Sequence, residues 1–121
     1  MTHPTNDWRL PTPWENSILD RLMMSHFQGA DEIRKPLASA SVQILDDWGN
    51  FSIQTTTTAK AKVITRVPIE AHRSDTDGQL IHYLLHVADG LVHEMKVYTD
   101  TLSDPHRHPD VDNLTVEVNE D

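Results

Sequence analysis

Cysteine is absent from this 121-residue sequence, which excludes disulfides, thiolate metal centres and cysteine nucleophiles and suits a reducing compartment. Glycine is scarce, four residues that nowhere cluster, so there is no glycine-rich phosphate loop and no dinucleotide fingerprint. A nucleophile elbow, a His-Glu-x-x-His pair and the kinase signatures are missing as well. No apolar run approaches the roughly 20 residues of a membrane-spanning helix. The opening residues, Met-Thr-His-Pro-Thr-Asn-Asp, are polar, so the expectation is a cytoplasmic protein without a signal peptide. Basic residues are in the minority: ten Lys and Arg against nineteen Asp and Glu give a formal charge of −9, spread along the chain. That balance argues against a nucleic acid or an anionic membrane as partner.

What is present points to one domain over 1–121, long enough to bury roughly two thirds of its unfolded surface. Eight histidines add a pH lever, because protonating them would cancel most of the negative charge.

Thr12-Pro13-Trp14-Glu15 is the clearest local signal. Thr12 suits a helix cap, Pro13 the first position, and Glu15 can reach back to Thr12. Trp14, Ile18 and Leu22 form one apolar row and Leu19, Met23 and Phe27 a second, predicting a helix over 12–29 that ends at Gly29 and packs on a sheet. Ala30 to Lys35 offers one further turn before Pro36 blocks continuation. Residues 1–11 read as an N-terminal arm.

From Ser41 the period becomes alternating, predicting an antiparallel sheet over 41–118. Ser41 to Leu45 and Phe51 to Thr55 read as a hairpin with Trp48 at its tip. The Thr55 to Thr58 run fits a strand, and Lys62 to His72 reads as a long one in which Pro68 marks an unpaired side. Ser74 to Gly78 turns the chain into Leu80 to Tyr98, two strands joined at Ala88-Asp89-Gly90. A two-residue turn there would pair Ala88 with Leu91, and a three-residue turn would pair Val87 with Leu91. The hydrophobic pattern favours the three-residue turn, with Ile81, Tyr83, Leu85 and Val87 on one face beside Leu91, His93, Met95 and Val97. The first strand is apolar on both sides and belongs inside the sheet. A polar loop over 100–113 leads to a short last strand at Leu114 to Val118. The fold class is α+β: an N-terminal amphipathic helix on a twisted five- or six-stranded antiparallel meander.

Leu84-Leu85-His86-Val87-Ala88-Asp89-Gly90-Leu91-Val92-His93-Glu94-Met95-Lys96-Val97-Tyr98, followed by Pro109-Asp110 and the Leu114 strand, resembles a family of small bacterial proteins of unknown function. In that family a strand, an Asp-Gly turn and a Glu-apolar-x-apolar-Tyr strand close the domain. The resemblance covers roughly the last third of the chain and implies a fold and nothing more, with no activity attached. Lys96 stands where the family usually has an acid, so no shared carboxylate site is implied.

Three groups carry chemistry. His106, His108 and Asp110, with Asp112, would lie on one side of an extended chain about 6 to 7 Å apart in succession. Neighbouring pairs of them could bind zinc, nickel or manganese, with a third ligand such as His93 or Asp104 needed from elsewhere to complete a catalytic site; otherwise they are a solvated loop. His86 and Glu94 would lie diagonally across the hairpin, where a hydrogen bond would raise the imidazole pKa and make a general base; otherwise they are a semi-exposed cross-strand pair. His82 lies about 13 Å along the strand from His86, too far to share a metal with it. His93 reads as a core histidine. Trp48 either folds back on its sheet or anchors a partner, and Trp8 raises the same alternatives in the arm.

The leading expectation is a small cytoplasmic protein-binding or regulatory module, a homodimer, acting through a mixed sheet face that bears Leu80, Leu84, Val92 and Tyr98, with Trp48 as a further anchor. No cofactor is expected beyond a divalent metal at the His106 stretch. The alternatives are a metal-dependent or histidine-based enzyme on a small molecule, and a non-catalytic ligand-binding domain.

Overall fold

The computed structural model of the protein describes residues 8–46, 48–56, 60–63, 65–74, 78–100 and 113–119. Thr12 opens helix α1 (Pro13–Met23). Its Oγ1 accepts from the Glu15 N–H at 3.2 Å, while Glu15 accepts from the Thr12 N–H at 2.8 Å. These two bonds satisfy donors that a helix start leaves orphaned. Glu15 is buried and has a second partner, the Arg9 guanidinium, which donates to both carboxylate oxygens at 2.7 and 3.1 Å. Burial on its own pushes this carboxyl up, but the donors from Arg9 and Thr12 outweigh it and hold Glu15 below the usual carboxylate range. Arg9 is fixed in turn, and its backbone exchanges hydrogen bonds with Val42 at 2.9 and 2.7 Å. The described end of the arm is therefore laid against the sheet.

The helix expected over 12–29 ends early: α1 stops at Met23, and the further turn expected from Ala30 is a second helix, α2 (Ala30–Leu37), beginning after Gly29, which sits in the left-handed region at φ 90°. Arg34 explains the break: its Nη2 and Nε donate to the Met23 carbonyl at 2.6 and 3.1 Å, placing a cation on the exposed carbonyls of the α1 terminus. Pro36 does not block α2 before Leu37, because in the last turn its missing N–H forfeits a single bond.

Six strands follow: β1 (Ser41–Ile44), β2 (Phe51–Gln54), β3 (Ile69–Ser74), β4 (Leu80–Ala88), β5 (Leu91–Thr99) and β6 (Thr115–Val118). They form one antiparallel sheet in the order β1-β2-β5-β4-β3-β6. The α+β class and the interior position of β4 are as expected. The connectivity is a meander only within β1–β2 and β3–β4–β5; β2 joins β5, and β6 returns to β3. Trp14 of α1 lies on Tyr83 of β4 with ring centroids 5.8 Å apart. Around that contact Ile18 and Leu22 meet Phe51, Ile69, Ile81, Leu85, Met95 and Val97, all essentially inaccessible.

The long strand expected from Lys62 to His72 is shortened to β3, and Thr55 and Thr56 are outside any strand. The described residues between Lys60 and Pro68 instead run past the tip of the β4–β5 hairpin. Ala61 donates its N–H to the Gly90 carbonyl at 2.8 Å, and Val87 donates to the Arg66 carbonyl at 2.7 Å. Isolated bonds of this kind satisfy backbone groups without building a ladder, so an alternating pattern persists where no strand forms.

The hairpin itself corrects the expected pairing. Ala88 pairs with Leu91 across a two-residue turn, and Val87 pairs with Val92. Asp89 and Gly90 both have positive φ, 52° and 76°, the geometry that matches the twist of paired strands. From His86↔Glu94 back to Ile81↔Thr99 the pairing is offset by one residue, leaving His93 as an unpaired extra residue. The bulge reverses alternation locally. Val92, expected on the semi-exposed face, is buried, and His93, expected in the core, has a side chain 61% exposed.

Gly90 is the tightest point of this arrangement: a Cβ there would stand 2.7 Å from Lys60 Cβ and 2.8 Å from the Ala61 carbonyl oxygen. Gly90→Ala is expected to cost about 2 kcal/mol or more, from left-handed strain plus the clash. Gly78→Ala, where φ is +87° and nothing lies within 4 Å, carries the strain alone and is expected to cost about 1 kcal/mol. Urea midpoints at unchanged m-value measure both; equal losses would show that the packing of Lys60 and Ala61 on the turn contributes nothing.

Candidate functional site

Alternation sends one set of side chains to the helices and the other to the opposite face of the sheet. On the helix side lie Val42, Phe51, Ile53, Ile69, Ala71, Tyr83, Leu85, Met95 and Val97. Opposite them, in register, lie Gln43, Ser52, Glu94 and His86 in one row. Leu84 and Lys96 share the next row with Glu70 and Glu117, and His82 and Tyr98 share a third with His72 and Thr115. Neither helix covers these rows, and they are the candidate site.

Leu84 and Tyr98, expected as partner-binding residues, both stand on this face half-buried, and Leu80 is half-buried at the start of β4. Tyr98 is stacked on His82, ring centroids 4.6 Å apart and planes 14° from parallel. Trp48 is elsewhere, in the β1–β2 connection. It is half-buried, and its backbone N–H donates to Asp46 Oδ1 at 2.8 Å. Asn50 beside it ties that hairpin to β5 by accepting from the Val97 N–H at 2.5 Å. Leu45 at the end of β1 is 50% exposed, and Trp8, flanking Arg9, is 43% exposed.

His86 and Glu94 are directly opposite each other rather than diagonal, yet no hydrogen bond joins them. Among the described residues His86 Nε2 is buried without a partner. Burial therefore dominates and pushes the imidazole pKa down. Glu94 pulls it up more weakly, and Lys96, Arg66 and His93 act with burial. The expected rise is reversed, because proximity to a carboxylate without a hydrogen bond does not offset lost hydration. His106, His108 and Asp110, with Asp104, lie outside the described residues. Among the described residues no three His, Asp or Glu side chains converge to enclose a metal ion, and no helix is long and apolar enough to cross a membrane.

Sequence reasoning passed over His72 and Asp100. His82 Nε2 lies 2.5 Å from Asp100 Oδ1, and His72 faces His82 across β3–β4 with ring centroids 6.2 Å apart. The signal was available for His72, because His72 and His82 are equidistant from Asp77, inside the turn expected at 74–78. Among the described residues, depressions elsewhere include one of about 350 Å³ between α1 and α2 and one of about 230 Å³ at the β2–β5 corner. Neither is lined by His82, His86 or Glu94, so they do not serve this face.

The depressed His86 value sets a pH dependence. The unfolded imidazole titrates near 6.5 and the folded one lower, so between the two values the unfolded chain binds more protons. The contribution is complete above about pH 6.5 and is lost as pH falls through the folded value. Thermal scans from pH 7.5 to 5 are expected to show a smaller acid loss in His86→Leu than in the unsubstituted protein. Identical pH slopes would remove His86 from the account.

No protein-family model, no curated protein and no solved structure matches this chain.

Proposed function

We propose that this chain is a small cytoplasmic protein-binding module that docks a partner on the uncovered face of its sheet. One observation supports the reading above the others. A six-stranded sheet carries both helices on one side, while its other side presents Leu84 and Tyr98 centrally; near its β1 edge Leu45 and Trp8 are exposed. With strands about 4.8 Å apart, six of them make a surface about 24 Å wide, and a standard interface buries about 800 Å² on each partner.

Electrostatics narrows the choice of partner. Glu70, Glu94, Glu117 and Asp100 on this face oppose Lys96 alone among its strand residues, on a chain of formal charge −9. A basic protein surface complements that pattern, whereas a second copy would bring like charges together at neutral pH. A homodimer, the expectation from sequence, is accordingly the second choice. A histidine-based enzyme using His86 and Glu94 has less support, because the two groups are not hydrogen-bonded and His86 is aimed into buried space.

The test uses a panel of basic, aromatic-containing peptides and amide chemical shifts on the full chain, with sedimentation velocity over a concentration series. Shift changes are expected on β4, β5 and β3. Leu84→Ala and Tyr98→Ala are each expected to weaken binding about tenfold, the loss of about 1.4 kcal/mol typical of a modest hot spot. Perturbations confined to the helices, or affinity indifferent to both substitutions, would sink the proposal. Concentration-dependent dimerisation lost in Tyr98→Ala would replace the basic partner with a second copy.

A further inference from the structure

The histidine row of the uncovered face has a geometry that protein docking does not require. His72 and His82 are directly opposite residues of β3 and β4. The Asn119 N–H bonds to the Pro68 carbonyl and the Asp100 N–H to the Leu80 carbonyl. By alternation, the backbone groups of His72 therefore point to β6 and those of His82 to β5. The two form a non-hydrogen-bonded pair, the position at which opposed residues come closest, with Cα atoms about 4.5 Å apart. From this we infer that His72 and His82 are a two-histidine chelate for a divalent transition-metal ion: zinc, nickel or copper.

Ring spacing fits. Metal–nitrogen bonds are about 2.0 to 2.1 Å long, so a bound ion sits about 3.2 Å from each ring centre, and the centres are about 5.2 Å apart at a tetrahedral angle and about 6.4 Å at a linear one. The observed separation is 6.2 Å. A side-chain adjustment of about 1 Å reaches the tetrahedral value.

One imidazole also has a carboxylate at hydrogen-bonding distance: Asp100 Oδ1 is 2.5 Å from His82 Nε2, while Glu117 Oε1 stands 3.9 Å from His72 Nδ1, too far for a hydrogen bond. A carboxylate that takes the N–H of a histidine fixes its tautomer and leaves the other nitrogen as an unprotonated, more basic ligand. The ligating atom of His82 is then Nδ1, and His72 would use Nε2, the nitrogen away from Glu117; neither has another bond among the described residues. Tyr98, stacked on His82, holds that ring's plane. Both side chains keep access to solvent, 28% for His72 and 19% for His82, so a hydrated ion can enter.

Two protein ligands among the described residues would leave the remaining positions to water, making the site an open, exchangeable one. Imidazole pairs favour copper, nickel and zinc over magnesium or calcium.

The experiment is calorimetric titration of untagged full-length protein with nickel chloride and zinc chloride alone, at pH 7.5 in a non-coordinating buffer. One ion per chain in the micromolar range is expected. His72→Ala and His82→Phe are each expected to weaken binding at least tenfold; the phenylalanine keeps a ring on Tyr98 and removes the nitrogens. Asp100→Asn is expected to weaken it several-fold, and the His106→Ala, His108→Ala double variant to leave it within twofold. Nickel broadening of the His72 and His82 ring resonances identifies the ligands independently of folding, and thermal midpoints check each variant. Absence of binding, binding abolished by the 106/108 double variant, or broadening centred on another histidine would overturn the assignment.

Discussion

The structure turns on the way β4 and β5 are joined. A tight Asp89-Gly90 turn sets one pairing and the remainder of the hairpin requires another, and His93 absorbs the difference as a bulge. Without the extra residue, Met95, Val97 and Thr99 would leave the helix side and expose most of the centre of the core. With it, Val92 also turns inward near the tip, where Lys60 and Ala61 close over Gly90. The central hairpin thereby decides which side chains are core and which are left for recognition.

The rest of the fold supports that division from one side. α1 rests on Tyr83 through Trp14, and its start is bound to the sheet by a short chain of interactions: Thr12 to Glu15, Glu15 to Arg9, Arg9 to Val42. Its end is bound to α2 through Arg34. Each charged group in these links has a fixed partner. Burial of Glu15 is tolerable because its carboxylate accepts from both Arg9 and Thr12, so desolvation is offset by charge-assisted bonds. No comparable layer is laid on the other side among the described residues. There the carboxylates and imidazoles of neighbouring strands face solvent over a half-buried Leu84 and Tyr98.

Histidines on this face behave differently according to what they touch. His82 has a carboxylate at hydrogen-bonding distance and an aromatic ring beneath it, and is held in one orientation. His86, one row beyond Leu84, has a carboxylate directly across the ladder without a bond to it, and burial governs its titration. The contrast shows how little pairing position alone says about electrostatics. Distance at the level of single nitrogens decides whether a neighbouring acid holds an imidazole by a hydrogen bond or only faces it.

Local chemistry was readable from the chain itself. The capping box at Thr12, the apolar rows of α1, the Asp-Gly hairpin, the interior position of β4 and the α+β class all follow from side-chain type and spacing, because they depend on contacts within a few residues. The end of α1 was not readable, since Arg34, eleven residues beyond Met23, supplies the stop. Nor was the loss of strand from Lys62 to Pro68, whose backbone partners lie on the β4–β5 hairpin. His93 and Val92 exchanged places because a bulge is one residue of slack, and alternation cannot locate it without knowing where the partner strand sits. The uncovered face belongs to the same class: His72, His82 and Tyr98 come from three strands whose pairing brings them into one row, and Asp100, just beyond β5, reaches His82 from the next.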